Sequence, residues 1–516
     1  MAAPLMNMLT TKLIITNRTA LQQKYGDAHQ QILDDLTALQ AADKNRHLDA
    51  HVIFLDDVAQ MQSCQATAVT DVNDDAQHKK AIDDLYRFYS PGYIMLVGSQ
   101  DIIPFQRLKN LLPGENDPDA AIPSDLPYAC DVPYDADPGK FISPVRVVGR
   151  LPDIPAVADA TYLHTLINNI ITAVPAAQQD YLPYFSLSTF DWQNSTQNSL
   201  QQIFGNYGSL LVFPGSDEAL NGTNWTAEQL QAKTHFINCH GAINNPGYYG
   251  QKATDFPLAL RSDILTAKIS KGTVVAAECC YGGQLFDPKK NSAKRMSMAN
   301  SYLQQNALAF VGSSNIAYGP STGQGLADLL TQYFVINVLN GASTGRAMLE
   351  ARQRFLHEMG PTLDPYELKT AAQFYLLGDP SWQPVVNDKD PSKTATSQPF
   401  VNTLQNRRDN LEARGKMLEG FIAVPHPSDG THATDPALHE AMHQLLDEKQ
   451  FSAQRTAKVF INRHQSSKDD ISHSMPSVKF HVFSESGHHG DGPLTKVIVV
   501  KEKNNQILGY REYVSR

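Results

Sequence analysis

Over its first three quarters the chain alternates short, β-rich apolar runs with helical stretches of amphipathic pattern. That alternation commits it to an α/β fold, with parallel strands covered by helices. Leu13-Ile14-Ile15-Thr16 is followed by a helical stretch over 21–39, and His51-Val52-Ile53-Phe54-Leu55-Asp56 by another reaching residue 89. Tyr93-Ile94-Met95-Leu96-Val97-Gly98 comes next, then a Pro-, Asp- and Gly-rich piece over 112–144. That piece is too long for a plain connection and is expected to pack over another surface. Val145-Arg146-Val147-Val148-Gly149-Arg150-Leu151 closes this first unit, and a helix over 155–172 leads onward. A second α/β unit starts near Tyr184-Phe185-Ser186-Leu187, with strands expected at 209–213, 235–239, 273–278 and 307–312 and helices at 323–339, 347–357 and 367–376. Residues 387–398 are polar and read as a linker. Beyond them lie a charged helix over 402–419, a His-rich stretch, two β-type runs (478–483 and 496–501) and a hairpin turn at Asn504-Asn505. The expected organisation is an N-terminal α/β subdomain (1–175), a second α/β subdomain (176–386), a linker (387–398) and an α+β accessory segment (399–516).

A chain of 516 residues is too long for one ordinary core, which fits this division. The formal charge of -10 is spread along the chain, and nucleic acid is excluded as the main partner because phosphate binding needs a basic stripe. No run of about 20 apolar residues is present, so no membrane span is expected. Met1-Ala2-Ala3-Pro4-Leu5 lacks a basic segment followed by an apolar one, and no signal peptide is read there. Five cysteines form an odd, sparse set unlike a disulfide framework. A cytoplasmic setting is the default expectation, with export by another route left open.

The chemistry concentrates at two strand ends. Thr273-Val274-Val275-Ala276-Ala277 runs into Glu278-Cys279-Cys280-Tyr281-Gly282-Gly283. Side chains alternate along a strand, so Glu278 and Cys280 share one face and Cys279 points to the other. Cys280, last before the glycine turn, opens into the crevice where α/β proteins bind ligands, and is the better nucleophile. Glu278, on the same face, is a candidate substrate contact. A thiol needs a basic neighbour to react at neutral pH. The second strand end supplies one: His235-Phe236-Ile237-Asn238-Cys239-His240-Gly241. His240 would stand at the mouth of the same sheet, and the N–H groups of Gly241 and Cys280 would form an oxyanion hole.

An apolar run ending in His-Gly, followed later by one ending in Glu-x-Cys-x-x-Gly, resembles the dyad signature of the caspase-like cysteine peptidases. The wider chain is similar to the gingipain family. Further landmarks occur in that family's order: Ile103-Pro104, Ser124-Asp125-Leu126-Pro127-Tyr128, Val148-Gly149-Arg150, Phe310-Val311-Gly312-Ser313-Ser314 and Leu377-Gly378-Asp379-Pro380-Ser381. The resemblance covers residues 10–385. It implies a caspase-like three-layer α/β/α unit preceded by a smaller α/β unit, with Cys280 as nucleophile, His240 as general base and no cofactor. It puts Tyr318 at an aromatic wall of the primary specificity pocket. The family's acidic pocket residue has no aligned counterpart. Asp191 is the nearest candidate, for that role or for orienting His240.

One motif competes. His439-Glu440-Ala441-Met442-His443 has zinc-peptidase spacing, with Asp435-Pro436 as a helix start, but no third ligand is evident beyond Asp447 or Glu448. The leading expectation is a cysteine endopeptidase acting on protein or peptide substrates. The alternatives are a catalytically silent binding or scaffold protein on the same fold, and a zinc peptidase using His439, Glu440 and His443. Residues 399–516 are expected to dock on the peptidase unit, where they would regulate access, recruit substrate or engage a regulatory protein partner.

Overall fold

The computed structural model describes residues 10–114, 117–215, 222, 224–386, 400–428, 435–451, 457–464, 478–489 and 492–516. The expected linker, Met1-Ala2-Ala3-Pro4-Leu5 and His432 of the His-rich stretch lie outside these residues.

The runs expected as strands in the two α/β units form β1 (Thr10–Thr16), β2 (Leu48–Phe54), β3 (Tyr93–Val97), β4 (Val148–Leu151), β5 (Tyr184–Thr189), β6 (Leu210–Phe213), β7 (Thr234–Asn238), β8 (Thr273–Ala277) and β9 (Ala307–Ser313). After β10 (Tyr318–Pro320) comes a strand the sequence reading assigned to the end of a helix, β11 (Phe374–Gly378). The main sheet has ten strands in the order β2-β1-β3-β4-β11-β9-β8-β7-β5-β6. Neighbours run parallel except β9 and β11, which pair antiparallel through Val311↔Leu376 and flanking residues. The two α/β units therefore share one continuous sheet, with β11 at the seam. A buried ion pair ties the ends together: Lys12 Nζ on β1 lies 2.8 Å from Asp379, just past β11.

Helices cover both faces. Ile32, Leu36 and Leu39 of α1 (His29–Asn45) and Leu163, Leu166 and Ile170 of α2 (Ala160–Ile171) pack on one side, where Val275 and Ala277 also point. Leu330, Phe334 and Val338 of α3 (Leu326–Leu339) and Met348, Ala351 and Phe355 of α4 (Thr344–Met359) pack on the other, with Val274 and Ala276. Alternate residues of one strand thus bury into separate cores, so both faces are apolar, as a parallel sheet requires. Burying each Leu, Val or Phe is worth about 1.5–3 kcal/mol relative to exposure. The next helix, α5 (Pro365–Gln373), opens with a capping box between Asp364 and Glu367 and with Pro365 in its first turn. It stops at Gln373, where Phe374 turns extended and β11 begins.

The last part of the chain is a sheet backed by helices. The helix α6 (Phe400–Phe421) crosses α4, and the Gln353 amide donates to Leu411 and Pro144 carbonyls at 2.8 and 2.7 Å. Strands β12 (Ala423–Pro427), β13 (Lys458–His464), β14 (Lys479–His489), β15 (Gly492–Lys503) and β16 (Gln506–Ser515) pair antiparallel in sequence order. The helix α7 (Pro436–Glu448) lays Leu438, Met442 and Leu446 on Phe483, Ile498 and Val500. The intervening Val497 and Val499 enter the core beneath α3 and α4. Asn504 and Asn505, with φ of 54° and 60°, make the expected tight turn between β15 and β16. This sheet incorporates β10 at its edge, next to β16, so it is stitched to the preceding α/β portion. No helix among the described residues is long and apolar enough to cross a membrane.

Candidate active site

Strands β7 and β8 are parallel neighbours, with Phe236 opposite Ala276 and Ile237 opposite Ala277. The Glu278 N–H continues the ladder to the Ile237 carbonyl at 2.9 Å. Carried onward, this register sets Asn238 beside Glu278 and His240 beside Cys280. The two strand ends touch: a Cβ on Gly241 would overlap the Cys280 carbonyl, so only glycine fits there.

Cys280 is 5% exposed, and its Sγ lies 3.4 Å from the Ala317 carbonyl. Burial pushes its thiol up to about 12. Cys279 is fully buried in the opposite core with Cys239, as the alternation of faces requires. Tyr281 takes φ of 52°, which turns the chain sharply after Cys280, and its hydroxyl donates to Asp119 at 2.7 Å.

The His240 ring packs between Trp192 (4.2 Å between centroids) and Phe256 (5.0 Å). Its Nε2 lies 2.6 Å from the Gln251 side-chain oxygen, and the Gln251 amide nitrogen donates to the Ala253 carbonyl at 3.2 Å. That orientation makes Nε2 the protonated nitrogen and leaves the Nδ1 lone pair to accept a proton. Burial, with the Arg516 charge nearby, pulls the imidazole down to about 4.

Sequence reasoning did not anticipate what fills the space between these groups. Strand β16 runs antiparallel along β10, pairing Tyr513 with Pro320, Val514 with Gly319 and Ser515 with Tyr318. It delivers Arg516, which is 1% exposed, onto the two strand ends. The Arg516 carbonyl accepts the Cys280 N–H at 2.8 Å, and the Arg516 N–H donates to Ala317 at 2.9 Å. Its guanidinium donates to Asp328 Oδ1 at 2.8 Å and to Asn238 Oδ1 at 3.3 Å, and its Cζ lies 4.4 Å from the Trp192 ring centre. A Cβ on Gly319 would overlap the guanidinium, so the absence of a side chain there makes the room.

Glu278 is fully buried beneath this pocket and accepts from Thr331 Oγ1 at 3.2 Å. Burial and the adjacent Asp328 carboxylate both push its pKa well above the usual range. Asp328 meets the guanidinium directly at 2.8 Å, with Glu278 buried behind it. Tyr318 is buried, edge-on to Tyr366 at 4.7 Å, with its hydroxyl 3.1 Å from Asp117. Lys369 pairs with Asp117 and, at 2.8 Å, with Asp119, whose carboxylate also accepts the Ile316 N–H at 2.9 Å. The irregular piece over 112–144 thus braces the cleft from behind.

Asp191 is exposed; the contact to the His240 Nε2 comes from Gln251 and the contact to the guanidinium from Asp328. His439 and His443 stack on the outer side of α7, with their Nε2 atoms 3.1 Å apart. Among the described residues no third His, Cys, Asp or Glu joins them, including Asp447 and Glu448.

Asp328, Asn238, Gln251, Gly319 and Arg516 were missed by sequence reasoning. The one signal was Asp328, a lone acid near the start of an otherwise apolar helix, Leu326-Ala327-Asp328-Leu329-Leu330. No curated protein is a significant match to the chain. The model of peptidase family C25 does match, over residues 12–385, so the chain belongs to that family and is a cysteine-type peptidase.

Proposed function

We propose that the protein is a cysteine endopeptidase that cleaves after arginine, with Cys280 as nucleophile and His240 as general base. The carrying observation is the seat of Arg516: its carbonyl accepts the Cys280 N–H while its guanidinium meets Asp328 and Asn238. A substrate arginine in that seat presents its carbonyl carbon to Cys280 Sγ. The thiol proton passes to His240 Nδ1 as the C–S bond forms. The carbonyl oxygen draws on the Cys280 and Gly241 N–H groups as it gains negative charge. His240 then gives the proton to the departing amine as the C–N bond breaks, leaving a thioester. A water that His240 deprotonates cleaves the thioester, releases the new carboxylate and restores the thiol. Arginine is favoured over lysine because a planar cation both stacks on Trp192 and divides its donors between Asp328 and Asn238. Strand pairing along β10 supplies recognition of an extended peptide.

The test uses a fluorogenic peptide with arginine before the reporter amide. Cys280→Ala removes turnover and Cys279→Ala retains it. His240→Ala lowers turnover by about 10²–10⁴-fold with folding intact. A dead, folded Cys279→Ala beside an active Cys280→Ala would reverse the assignment. Normal turnover in folded His240→Ala would remove the base.

A further inference from the structure

The groove between β10 and the Cys280 turn is already filled by the protein itself, and it is filled in the manner of a ligand. We infer that Tyr513–Arg516 is an intramolecular occupant of the substrate cleft, which holds the chain latent until β16 peels away from β10. This rests on the peptidase reading of Cys280 and adds a regulatory role for the last strand.

Two things separate this contact from incidental packing. First, Arg516 is held through its backbone and its side chain together, with the guanidinium Nη atoms partnered and Nε left without a hydrogen bond. The N–H goes to Ala317, the carbonyl to Cys280 and the guanidinium to Asp328, with the pair 1% and 0% exposed. A buried guanidinium is costly unless it is paired, and here Asp328 pairs with it. Second, the strand is clamped outside the cleft. The Tyr513 hydroxyl donates to Asp364 at 2.6 Å, Arg511 pairs with Glu367, the Ser321 N–H donates to the Glu512 carbonyl at 3.0 Å, and Lys449 reaches Glu512 at 2.6 Å. The hairpin with β15 fixes the register, with Tyr513 opposite Val497 and Val514 opposite Lys496. The occupant is therefore delivered as a preformed strand, and it covers Cys280 and the arginine seat at once.

A tethered ligand acts at an effective concentration in the millimolar range. Against a free peptide at micromolar concentration, such an occupant suppresses access to Cys280 by about tenfold or more.

The experiment compares the full chain with Arg516→Ala and Arg516→Lys. It measures the rate of Cys280 alkylation by iodoacetamide, located by mass spectrometry, and kcat/KM on the arginyl peptide. A thermal melt confirms folding, and if Arg516→Ala fails to fold, Tyr513→Phe takes its place. Arg516→Ala is expected to be alkylated at least about tenfold faster than the parent and to cleave correspondingly faster, with Arg516→Lys in between. The free peptide Tyr-Val-Ser-Arg should slow alkylation of Arg516→Ala at concentrations that leave the parent unaffected. A folded Arg516→Ala protein alkylated at the parental rate overturns the inference, as does a parent that cleaves as fast as the variant. That second result would leave the peptidase reading intact. Faster alkylation with no cleavage of arginyl peptides by any variant has the opposite meaning: the occupancy stands and the peptidase reading falls.

Discussion

Asp328→Asn isolates the charge in the arginine pocket from its shape. In the occupied cleft the Asp328 carboxylate lies 2.8 Å from the Arg516 guanidinium, and neither side chain is more than 1% exposed. Removing one partner of a buried ion pair costs about 3–5 kcal/mol. The asparagine oxygen still accepts a neutral hydrogen bond worth about 1 kcal/mol. The net loss is about 2–4 kcal/mol, or about 30- to 700-fold in kcat/KM at 1.4 kcal/mol per tenfold. Glu278 moderates the loss. Burial and Asp328 together raise its pKa, and the substitution removes the second cause, so a bound guanidinium draws Glu278 toward ionisation. Asp328→Asn with Glu278→Gln should therefore lose more than Asp328→Asn alone. The assay belongs in the Arg516→Ala background, where no guanidinium of the chain itself fills the pocket, with paired peptides carrying arginine or its neutral isostere citrulline. Asp328→Asn should erase most of the arginine preference and leave the citrulline rate nearly unchanged. A folded variant that keeps the arginine-to-citrulline ratio within about threefold of the parent would refute the assignment of Asp328, whatever the fate of Cys280.

Gln251→Leu should lower kcat about tenfold or more with KM little changed, because the hydrogen bond fixing the His240 tautomer is gone. Gln251→Glu should move the acidic limb of the kcat/KM profile to higher pH, since a carboxylate beside the imidazole favours its protonated form. Gly319→Ala in the Arg516→Ala background should cut arginyl-peptide turnover at least tenfold and spare an alanyl peptide, because the new Cβ occupies the guanidinium position. Burial alone holds His235, which is fully buried, down to about 4. A folded pKa below the unfolded value of about 6.5 gives stability that is complete above about pH 6.5 and is lost as pH falls toward 4, by about 3 kcal/mol. Denaturant midpoints should fall over that window, and His235→Asn should flatten part of the fall.

The parallel strands were readable because each is a short apolar run between turn residues, and their end residues carried the chemistry. His240 and Cys280 could be paired because a register of two adjacent strands is a local property, here Ile237 against Ala277. The seam strand was hidden for a related reason. Phe374-Tyr375-Leu376-Leu377 is buried on both sides, so it lacks the alternation that distinguishes a strand from the end of a helix. The arginine pocket was not legible because its parts come from four separate places: Asn238, Gly319, Asp328 and Trp192. Nothing in the spacing of those residues records that they converge. Gln251 was missed for a different reason. A neutral amide is an uncommon orienting group for a base, and the nearest carboxylate in the sequence, Asp191, faces solvent beside Trp192.

The role of β10 links the recognition strand to the fold's stability. A protease that binds an extended peptide by strand pairing must keep a sheet edge open, and an open edge invites pairing with any chain. The three residues Tyr318–Pro320 are too short to persist as an isolated strand, yet they hold their shape here. One side of the explanation is the brace behind them, where Lys369, Asp117 and Asp119 fix the Tyr318 hydroxyl, the Ile316 N–H and the Tyr281 turn. The other side is β16, which completes the ladder in front. The brace remains when β16 leaves, so the edge stays formed and ready for a substrate strand. Exchange of a cis strand for a trans strand then conserves the backbone hydrogen bonds of the cleft. The free-energy difference between latent and engaged states is left to the side chains at either end: Arg516 in its pocket and Tyr513 on Asp364.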